Sequence, residues 1–369
     1  GSTSIATISA SDLDNNSLVF TISSGDDQAL FSITSSGVLS FSAAPDFESP
    51  GDVDSDNSYL ISIQVSDGSL TDTQAITVNV IDAFEGRVVD GPIAGATVVV
   101  DLNGDGETND GEISGVTDED GFFLVDALSD FADTQAKIIA RGGTDTFTGK
   151  ALPYLTLISD VPADPTLPAN VSPLTTMLSV QVTEAEKVQA LAALGITSSP
   201  EDLLTTDGWA AAENGDQNAK AVQRVNQQIA LLLQTASALT NADGLNADVS
   251  LLVAETVAEQ ISSAAIANGA LDLSSPVFVQ ALLLECLTVA PPDGAVEASI
   301  LASVASAVAD VNAIFARSNF DPVSVAAIGV VAAGQDELQK SVLAVVAGAL
   351  SAEDFEDQVT PDKLFVGID

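Results

Sequence analysis

The first 83 residues alternate between apolar and polar side chains, which is the period-two pattern of strands with one buried face. Clusters rich in Gly, Asp and Ser separate these alternating runs at short intervals, as turns between antiparallel strands do. The predicted strands are 17–22, 30–33, 38–41, 59–65 and 75–80. This pattern predicts an antiparallel β-sandwich over residues 1–83.

Residues 84–160 continue in a strand-like pattern with longer polar interruptions. Apolar runs at 98–100 and 121–125 flank one such interruption, and the stretch 137–149 continues the sheet. Strands on both sides of a polar loop predict a second, smaller antiparallel β-sandwich over residues 84–160.

The character of the chain changes after a Pro-rich stretch at 161–169, which we expect to be a linker. Residues 170–369 are rich in Ala and Leu, and their apolar positions recur at helical spacing. Thr183 and Glu186 form a capping-box pattern at the start of a helix, and Gly195 ends that helix. The further predicted helices lie near 222–239, 248–267, 276–288, 295–317, 322–333 and 335–350. The predicted fold class is therefore multidomain α+β, with two consecutive antiparallel β-sandwiches followed by an all-α helical bundle.

The large excess of acidic residues limits the partners that this protein can bind. The chain carries 53 acidic and 10 basic residues, for a formal net charge of −43. Such a surface repels nucleic acid and anionic membrane, since both are bound through Lys and Arg. Residues 1–83 contain eleven Asp and one Glu but no Lys or Arg. One interpretation is that the acidity only keeps the protein soluble in salty water.

The acidic residues of the first region are clustered, which favours a second interpretation. The tightest clusters are Asp12/Asp14, Asp26/Asp27 and Asp52/Asp54/Asp56. Like charges at this spacing cost folding free energy unless a cation lies between them. The clustering therefore predicts bound divalent metal.

The residue types that are rare or missing exclude several kinds of site. The chain contains no His, which removes His-ligated zinc sites and Ser-His-Asp triads. The one cysteine, Cys286, cannot form a disulfide within the chain, and its apolar neighbours predict a buried helical side chain. The acidic residues of the helical region fit solvated or capping positions better than a hydrolytic pair, so we expect no enzyme activity; they are Glu184, Glu186, Glu255, Glu259 and Glu285. The longest uncharged apolar run, near 323–334, is shorter than the about 20 residues that span a bilayer, which predicts no membrane insertion.

Residues 101–112 match the calcium-loop template D-x-N-x-D-G-x5-E without a gap. Gly106 occupies the position at which the template needs a sharp turn. The predicted ligands are all oxygen donors, namely Asp101, Asn103, Asp105, Glu107 and Glu112. Strands rather than helices flank the loop, so calcium is expected to clamp the structure rather than to act as a sensor.

Six motifs follow one another along the first region. They are A-S-D-L-D at 10–14, L-V-F-T-I at 18–22, G-V-L at 37–39, P-D-F-E at 45–48, V-S-D-G at 65–68 and V-N-V-I-D at 78–82. In this order they resemble a bacterial cadherin-like domain across its full length, although the linker motif D-x-N-D-N of that family is reduced to Asp82. The resemblance implies a calcium cluster at each pole of the sandwich. The implied ligands are Asp12, Asp14 and Asp67 at the N-terminal pole, and Asp46, Glu48 and Asp82 at the opposite pole. The alternative is that these are solvated turn aspartates.

Two further motifs carry a second resemblance. T-D-E-D-G-F-F at 117–123 follows the calcium loop, and S-P-L-T-T at 172–176 precedes the helices. The loop with its strands resembles the SdrD B-like, or collagen-adhesin B type, sandwich repeats of bacterial surface proteins. The whole arrangement is similar to large bacterial surface adhesins, which implies a secreted or cell-surface location.

Three functions remain open on this basis. The first is a calcium-stabilised structural or adhesive segment of a surface or matrix protein. The second is a subunit that self-assembles into an extracellular fibre or layer. The third is a calcium-dependent glycan-binding protein or enzyme with its site in the helical region, which the low aromatic content of 5% disfavours. The expected partners are calcium and neighbouring domains or copies of the same surface protein, and neither nucleic acid nor membrane.

Overall fold

The computed structural model describes residues 3–14, 17–47, 49–80, 83–104, 112–126, 136–146, 149–153, 155–164, 167–206, 208–240, 247–292 and 296–364. The chain divides into two units, Gly1–Ala83 and Phe84–Asp369.

The first unit consists of strands in two antiparallel sheets. The strands are β1 (Ser4–Thr7), β2 (Val19–Ser24), β3 (Phe31–Ile33), β4 (Val38–Phe41), β5 (Ser58–Ser66) and β6 (Thr71–Asn79). One sheet has the order β1-β4-β3 and the other the order β2-β5-β6. Apart from β1, the strands lie at the predicted places.

The two sheets of the first unit enclose one aromatic core. In β5, Tyr59, Ile61 and Ile63 are buried on one face, as the alternating pattern requires. The Tyr59 ring contacts Phe41 edge-on at a centroid distance of 5.2 Å, and Phe31 lies 4.5 Å from Phe41. Because side chains of both sheets share this core, the first unit has the architecture of a small β-sandwich.

The second unit begins with strands. They are β7 (Ala83–Val88), β8 (Ile93–Ala94), β9 (Thr97–Asp101), β10 (Ile113–Val116), β11 (Phe122–Asp126), β12 (Lys137–Arg141), β13 (Thr144–Asp145), β14 (Lys150–Ala151), β15 (Thr156–Asp160) and β16 (Ala169–Val171). They form a sheet β10-β9-β12-β15, a sheet β11-β7-β16 and a small sheet β14-β13-β8.

Helices follow to the end of the described chain. They are α1 (Pro173–Ser179), α2 (Glu184–Ala193), α3 (Pro200–Thr205), α4 (Gly208–Glu213), α5 (Gln217–Thr240), α6 (Ala247–Asn268), α7 (Pro276–Val289), α8 (Ala298–Phe315), α9 (Val325–Val346), α10 (Ala352–Gln358) and α11 (Pro361–Leu364). The predicted capping box of α2 is confirmed, and Gly195 follows that helix with a φ of +75°. The two helices predicted at 322–333 and 335–350 are one helix, α9. Gly334 does not interrupt it, because the cost of one helical Gly, about 1 kcal/mol, is small beside the burial of Leu338 and Val342.

The stretch predicted as a linker is part of the second unit's structure. Its end, together with the following two residues, forms β16, which pairs in parallel with β7, with Ala169 opposite Gly86. A Cβ atom at Gly86 would lie 2.2 Å from the carbonyl oxygen of Ala169, so this close approach requires glycine.

Helix α1 joins the sheets to the helices. The Thr176 hydroxyl accepts a hydrogen bond from the amide of Ile158 in β15 at 2.8 Å, and the Thr175 hydroxyl donates to the Ile158 carbonyl at 3.2 Å. The Leu174 amide donates to the side chain of Asn226 in α5 at 2.9 Å. One hydrophobic core therefore runs from Phe84 to Leu364 through strands and helices alike. Residues 84–160 and 170–369, predicted as a separate sandwich and bundle, fall in one compact unit.

Among the described residues of the second unit, two helices are long and apolar enough to cross a membrane, Val249–Asn268 within α6 and Ala298–Phe315. Half of the first and 61% of the second are buried inside the protein, and core helices of globular proteins meet the same criteria. The predicted absence of membrane insertion stays a prediction.

Candidate metal centre

Three carboxylates converge in the loop that precedes β5. Asp52, Asp54 and Asp56 each place a carboxylate oxygen so that all three atoms lie within 4.8 Å of one another. No other group of three acidic residues meets this criterion in the part of the chain that the structure describes. Asp52 is buried, whereas Asp54 and Asp56 are exposed.

The loop closes on the buried carboxylate of Asp52. Its Oδ2 atom accepts hydrogen bonds from the amides of Asp56 at 2.8 Å and Asn57 at 3.1 Å. Ser55 and Asn57 adopt positive φ angles of 58° and 64°, which few residues other than glycine adopt and which Asn tolerates best. These two turns and the hydrogen bonds to Asp52 bring the alternate acidic side chains together.

Asp27 holds the loop from across the first unit. Its carboxylate is 3% exposed. Oδ1 accepts the amide of Val53 at 2.9 Å, and Oδ2 accepts the amide of Leu60 at 2.7 Å. One buried carboxylate from a different part of the sequence therefore anchors the loop on either side of Asp54 and Asp56.

Further hydrogen bonds connect the loop to the rest of its unit. The Gly51 amide donates to the Tyr59 hydroxyl at 3.2 Å, and the Asn57 side-chain amide donates to the Phe47 carbonyl at 3.0 Å. The Asn57 carbonyl in turn accepts the amide of Val80 at 2.9 Å. The acidic loop is thus linked to the core, to the segment before it and to the residue that follows β6.

Repulsion between the carboxylates of the loop and an unpartnered buried oxygen favour a bound cation. The neighbouring Asp56 carboxylate, followed by desolvation and Asp52, raises the pKa of Asp54. Oδ1 of Asp52, a residue only 6% exposed, and Oδ1 of Asn57 are buried and have no hydrogen-bond partner among the described residues. A buried anionic oxygen without a donor is costly, and a bound cation would satisfy it.

The spacing of these acids repeats the first half of the calcium-loop template. Asp52, Asp54 and Asp56 stand at positions 1, 3 and 5, and Asn57, with its positive φ, stands where the template has Gly. The donors are all oxygen atoms, which suit Ca²⁺ or Mg²⁺ rather than a soft metal. The clustering of charge in the sequence predicted divalent metal here without assigning these residues as a ligand set, and Asn57 and Ile63 stand where the template has Gly and the distal Glu.

The acidic residues predicted at the poles of the first unit make local turn contacts. Asp12 accepts the amide of Asp14 at 3.0 Å, and Asp46 accepts the amide of Ser49 at 3.2 Å. The structure does not bring Asp12, Asp14 and Asp67 together as a three-acid group. Glu48 and Asp82 lie outside the described residues.

Asp67 illustrates the turn role most clearly. Its Oδ1 accepts the amides of Leu70 at 2.6 Å and Ser69 at 2.7 Å in the turn between β5 and β6. These two backbone hydrogen bonds lower the pKa of Asp67. A carboxylate that caps its own turn in this way needs no metal to hold it in place.

The predicted calcium loop at 101–112 is described only at its two ends. Asp101 ends β9 with 1% exposure, and its Oδ1 accepts the amide of Gly104 at 2.7 Å. Gly104 has a φ of +72°, as a tight loop requires. Asn103 and Glu112 are also among the described residues, whereas Asp105 and Glu107 lie outside them, so the calcium shell stays a prediction.

A cavity of about 260 Å³ separates Asp101 from helix α6. Glu255 and Glu259 of α6 line it, together with Lys137 of β12. Burial, then Glu259, and to a smaller extent Asp101 raise the pKa of Glu255, while Lys137 opposes them. The start of the predicted calcium loop thus faces acidic residues of the helices, which belong to the same unit.

Comparison with known proteins adds little to this geometry. No family profile matches the chain, and no curated protein matches it. Among solved structures, the chain is similar to the protocadherin gamma B2 extracellular cadherin domains 3-6, with 15% sequence identity and a TM-score of 0.18. The match covers 38% of this chain and 38% of that one.

Proposed function

We propose that this chain is a calcium-stabilised structural segment of an extracellular adhesion-type or matrix protein. The observation that carries the proposal is the loop of Asp52, Asp54 and Asp56, in which three carboxylates converge and the buried Asp52 has one oxygen with no hydrogen-bond partner among the described residues. Asp27 anchors this segment through the amides of Val53 and Leu60, on either side of Asp54 and Asp56.

Calcium suits this loop better than other common metals. Calcium accepts six to eight oxygen ligands in a flexible geometry, whereas magnesium requires a strict octahedron and gives up water reluctantly. Three carboxylates would leave the remaining positions to other oxygen donors of the loop and to water on its exposed side. Zinc would prefer His and Cys, which this loop lacks.

The partly exposed site also supports an extracellular setting. Calcium sites of extracellular modules bind in the range of about 10⁻⁴–10⁻³ M, which suits a hydrated surface loop and would leave it empty in the cytosol. The first region has no Lys or Arg to neutralise its twelve acidic residues, so an external cation is the counter-charge that remains. The role proposed for the ion is structural, as a clamp on the fold.

A calcium count on the full chain tests the proposal. Equilibrium dialysis and calorimetric titration of the wild type are compared with Asp54→Asn/Asp56→Asn, which keeps the shape of the loop and removes two charges. We expect this variant to bind one calcium ion fewer than the wild type. Asp72→Asn is the matched control, because Asp72 is exposed at the far end of β6 and loses the same kind of charge. An unchanged ion count in the double variant would show that the loop holds no calcium.

One observation favours self-assembly as a second candidate function. Strand β6 is paired only with β5 among the described residues, and seven of its nine side chains are exposed. It carries one charge, Asp72, and no Lys or Pro, the residues that usually protect a free edge. Sedimentation velocity in millimolar calcium tests this, since Ala75→Lys should reduce any assembly that uses the edge. A wild type that stays monomeric at all concentrations would remove this candidate.

A further inference from the structure

The acidic loop is attached to the end of the last strand of the first unit. Beyond the ladder that joins β5 and β6, the amide of Val80 donates to the carbonyl of Asn57 at 2.9 Å. The Ser58 hydroxyl and the Asn79 side chain form a second link at 3.0 Å. The side chain of Val80 packs against the aromatic core while remaining partly exposed.

The residue that holds Val80 also donates a hydrogen bond to the carboxylate on which the loop closes. Asn57 has a positive φ, and its amide donates to the buried carboxylate of Asp52. The preceding residue, Asp56, has a carboxylate oxygen within 4.8 Å of oxygens of both Asp52 and Asp54, so these charges repel one another. Without a cation, this repulsion acts against the conformation in which the Asn57 carbonyl meets the Val80 amide.

We propose that the cation bound by Asp52, Asp54 and Asp56 is also a latch on the C-terminal end of β6. With the ion bound, the loop is closed and Asn57 holds Val80. When the ion leaves, the carboxylates separate, the Asn57 carbonyl moves away and the end of β6 frays. This proposal rests on the proposed calcium site. It adds that occupancy of the site controls how often the C-terminal end of β6, the last strand of the first unit, opens.

Amide hydrogen exchange on the full chain measures the latch directly. If the Val80 amide opens only when the ion has left, its exchange slows by the factor one plus the ratio of free calcium to the dissociation constant, about 100-fold when calcium is at 100 times that constant. The amides of Ser66 and Thr71, at the opposite end of the β5–β6 ladder, should respond much less. Asp54→Asn/Asp56→Asn should abolish the calcium effect at Val80.

A second pair of variants tests the same coupling from the other side. Val80→Pro removes the amide hydrogen and leaves all three carboxylates in place, whereas Val80→Ala removes most of the side chain and keeps the amide. Because coupling between two sites is reciprocal, Val80→Pro should lower the calcium affinity of the loop several-fold without changing the ion count. Val80→Ala should bind calcium like the wild type.

The outcomes separate the latch from the site itself. If calcium binds at the loop and Val80 exchanges equally fast with calcium and with chelator, the latch is wrong and the calcium site stands. If the double variant loses no ion in the titration, both proposals fall. If Val80→Pro does not fold, the exchange of Val80 in the wild type still decides the question.

Discussion

Replacing Asp27 should release the acidic loop from the core of the first unit. The carboxylate is 3% exposed and accepts two backbone hydrogen bonds, from Val53 at 2.9 Å and from Leu60 at 2.7 Å. Hydrogen bonds to a charged group contribute about 1.5–3 kcal/mol each. Asp27→Ala removes both, so we expect the free energy of unfolding of the first unit to fall by about 3 kcal/mol, from the low end of that range.

Two variants calibrate this prediction. Asp27→Asn keeps one acceptor oxygen, so it should retain one of the two bonds and lose about half as much stability as Asp27→Ala. Asp26→Asn is the matched control, because Asp26 is the exposed neighbour of Asp27 and loses the same charge. Its stability should equal that of the wild type.

Native-state hydrogen exchange of the full chain is the appropriate assay, because it reports on the two units separately. A loss of about 3 kcal/mol corresponds to exchange about 100-fold faster for the β5 amides of Ile61 and Ile63, since 1.4 kcal/mol is a factor of ten. Buried amides of α5 in the second unit serve as an internal reference and should not change. If the β5 amides of Asp27→Ala exchange less than about tenfold faster, Asp27 does not hold the loop as the hydrogen bonds indicate.

Three further predictions follow from charge and burial. Repulsion from Asp56 raises the pKa of Asp54 above its ordinary value of 3.8. In chelator, the first unit should therefore lose stability as the pH rises from 3.8 through that raised pKa. Thermal unfolding measured as a function of pH should show this loss, and added calcium should remove it. Burial raises the pKa of the Cys286 thiol to about 12, so a thiol reagent at mildly alkaline pH should react only as fast as the second unit unfolds. Asp160 forms ion pairs with Lys137 at 2.5 Å and with Lys187 at 2.6 Å. Asp160→Ala should therefore lower the free energy of unfolding of the second unit by about 2 kcal/mol, measured by denaturant titration. An unchanged denaturation midpoint would show that these ion pairs do not stabilise the unit.

Local patterns in the sequence determined the elements of this protein. The alternation in β5 that buries Tyr59, Ile61 and Ile63 is visible in the sequence, because a strand has a period of two whatever it packs against. The capping box of Thr183 and Glu186 is equally local, since both hydrogen bonds join residues three positions apart. Such features depend on neighbours along the chain and can be predicted without a fold.

The extent of the second unit was decided by tertiary packing. The Pro-rich stretch at 161–169 has the composition of a linker, but β16 at its end pairs with β7, and Thr175 and Thr176 bind the backbone of Ile158. These contacts join residues far apart in the sequence, so no local pattern indicates them. As a consequence, an ion at 101–112 would stabilise the helices as well as the sheets, because both share one core.

Recognising the acidic loop as a candidate site required both the sequence pattern and the tertiary structure. The sequence alone determined that Asp52, Asp54 and Asp56 alternate, and that the first region has no basic side chain to neutralise them. It could not distinguish this cluster from Asp12/Asp14, because adjacent acids converge only where the backbone is made to turn. That turn is imposed by the positive φ of Asn57 and by the buried carboxylate of Asp27, which lies 26 and 33 positions from the two amides that it holds. Which carboxylates converge depends on where oxygen atoms meet in space, and only the tertiary structure decided that these three do.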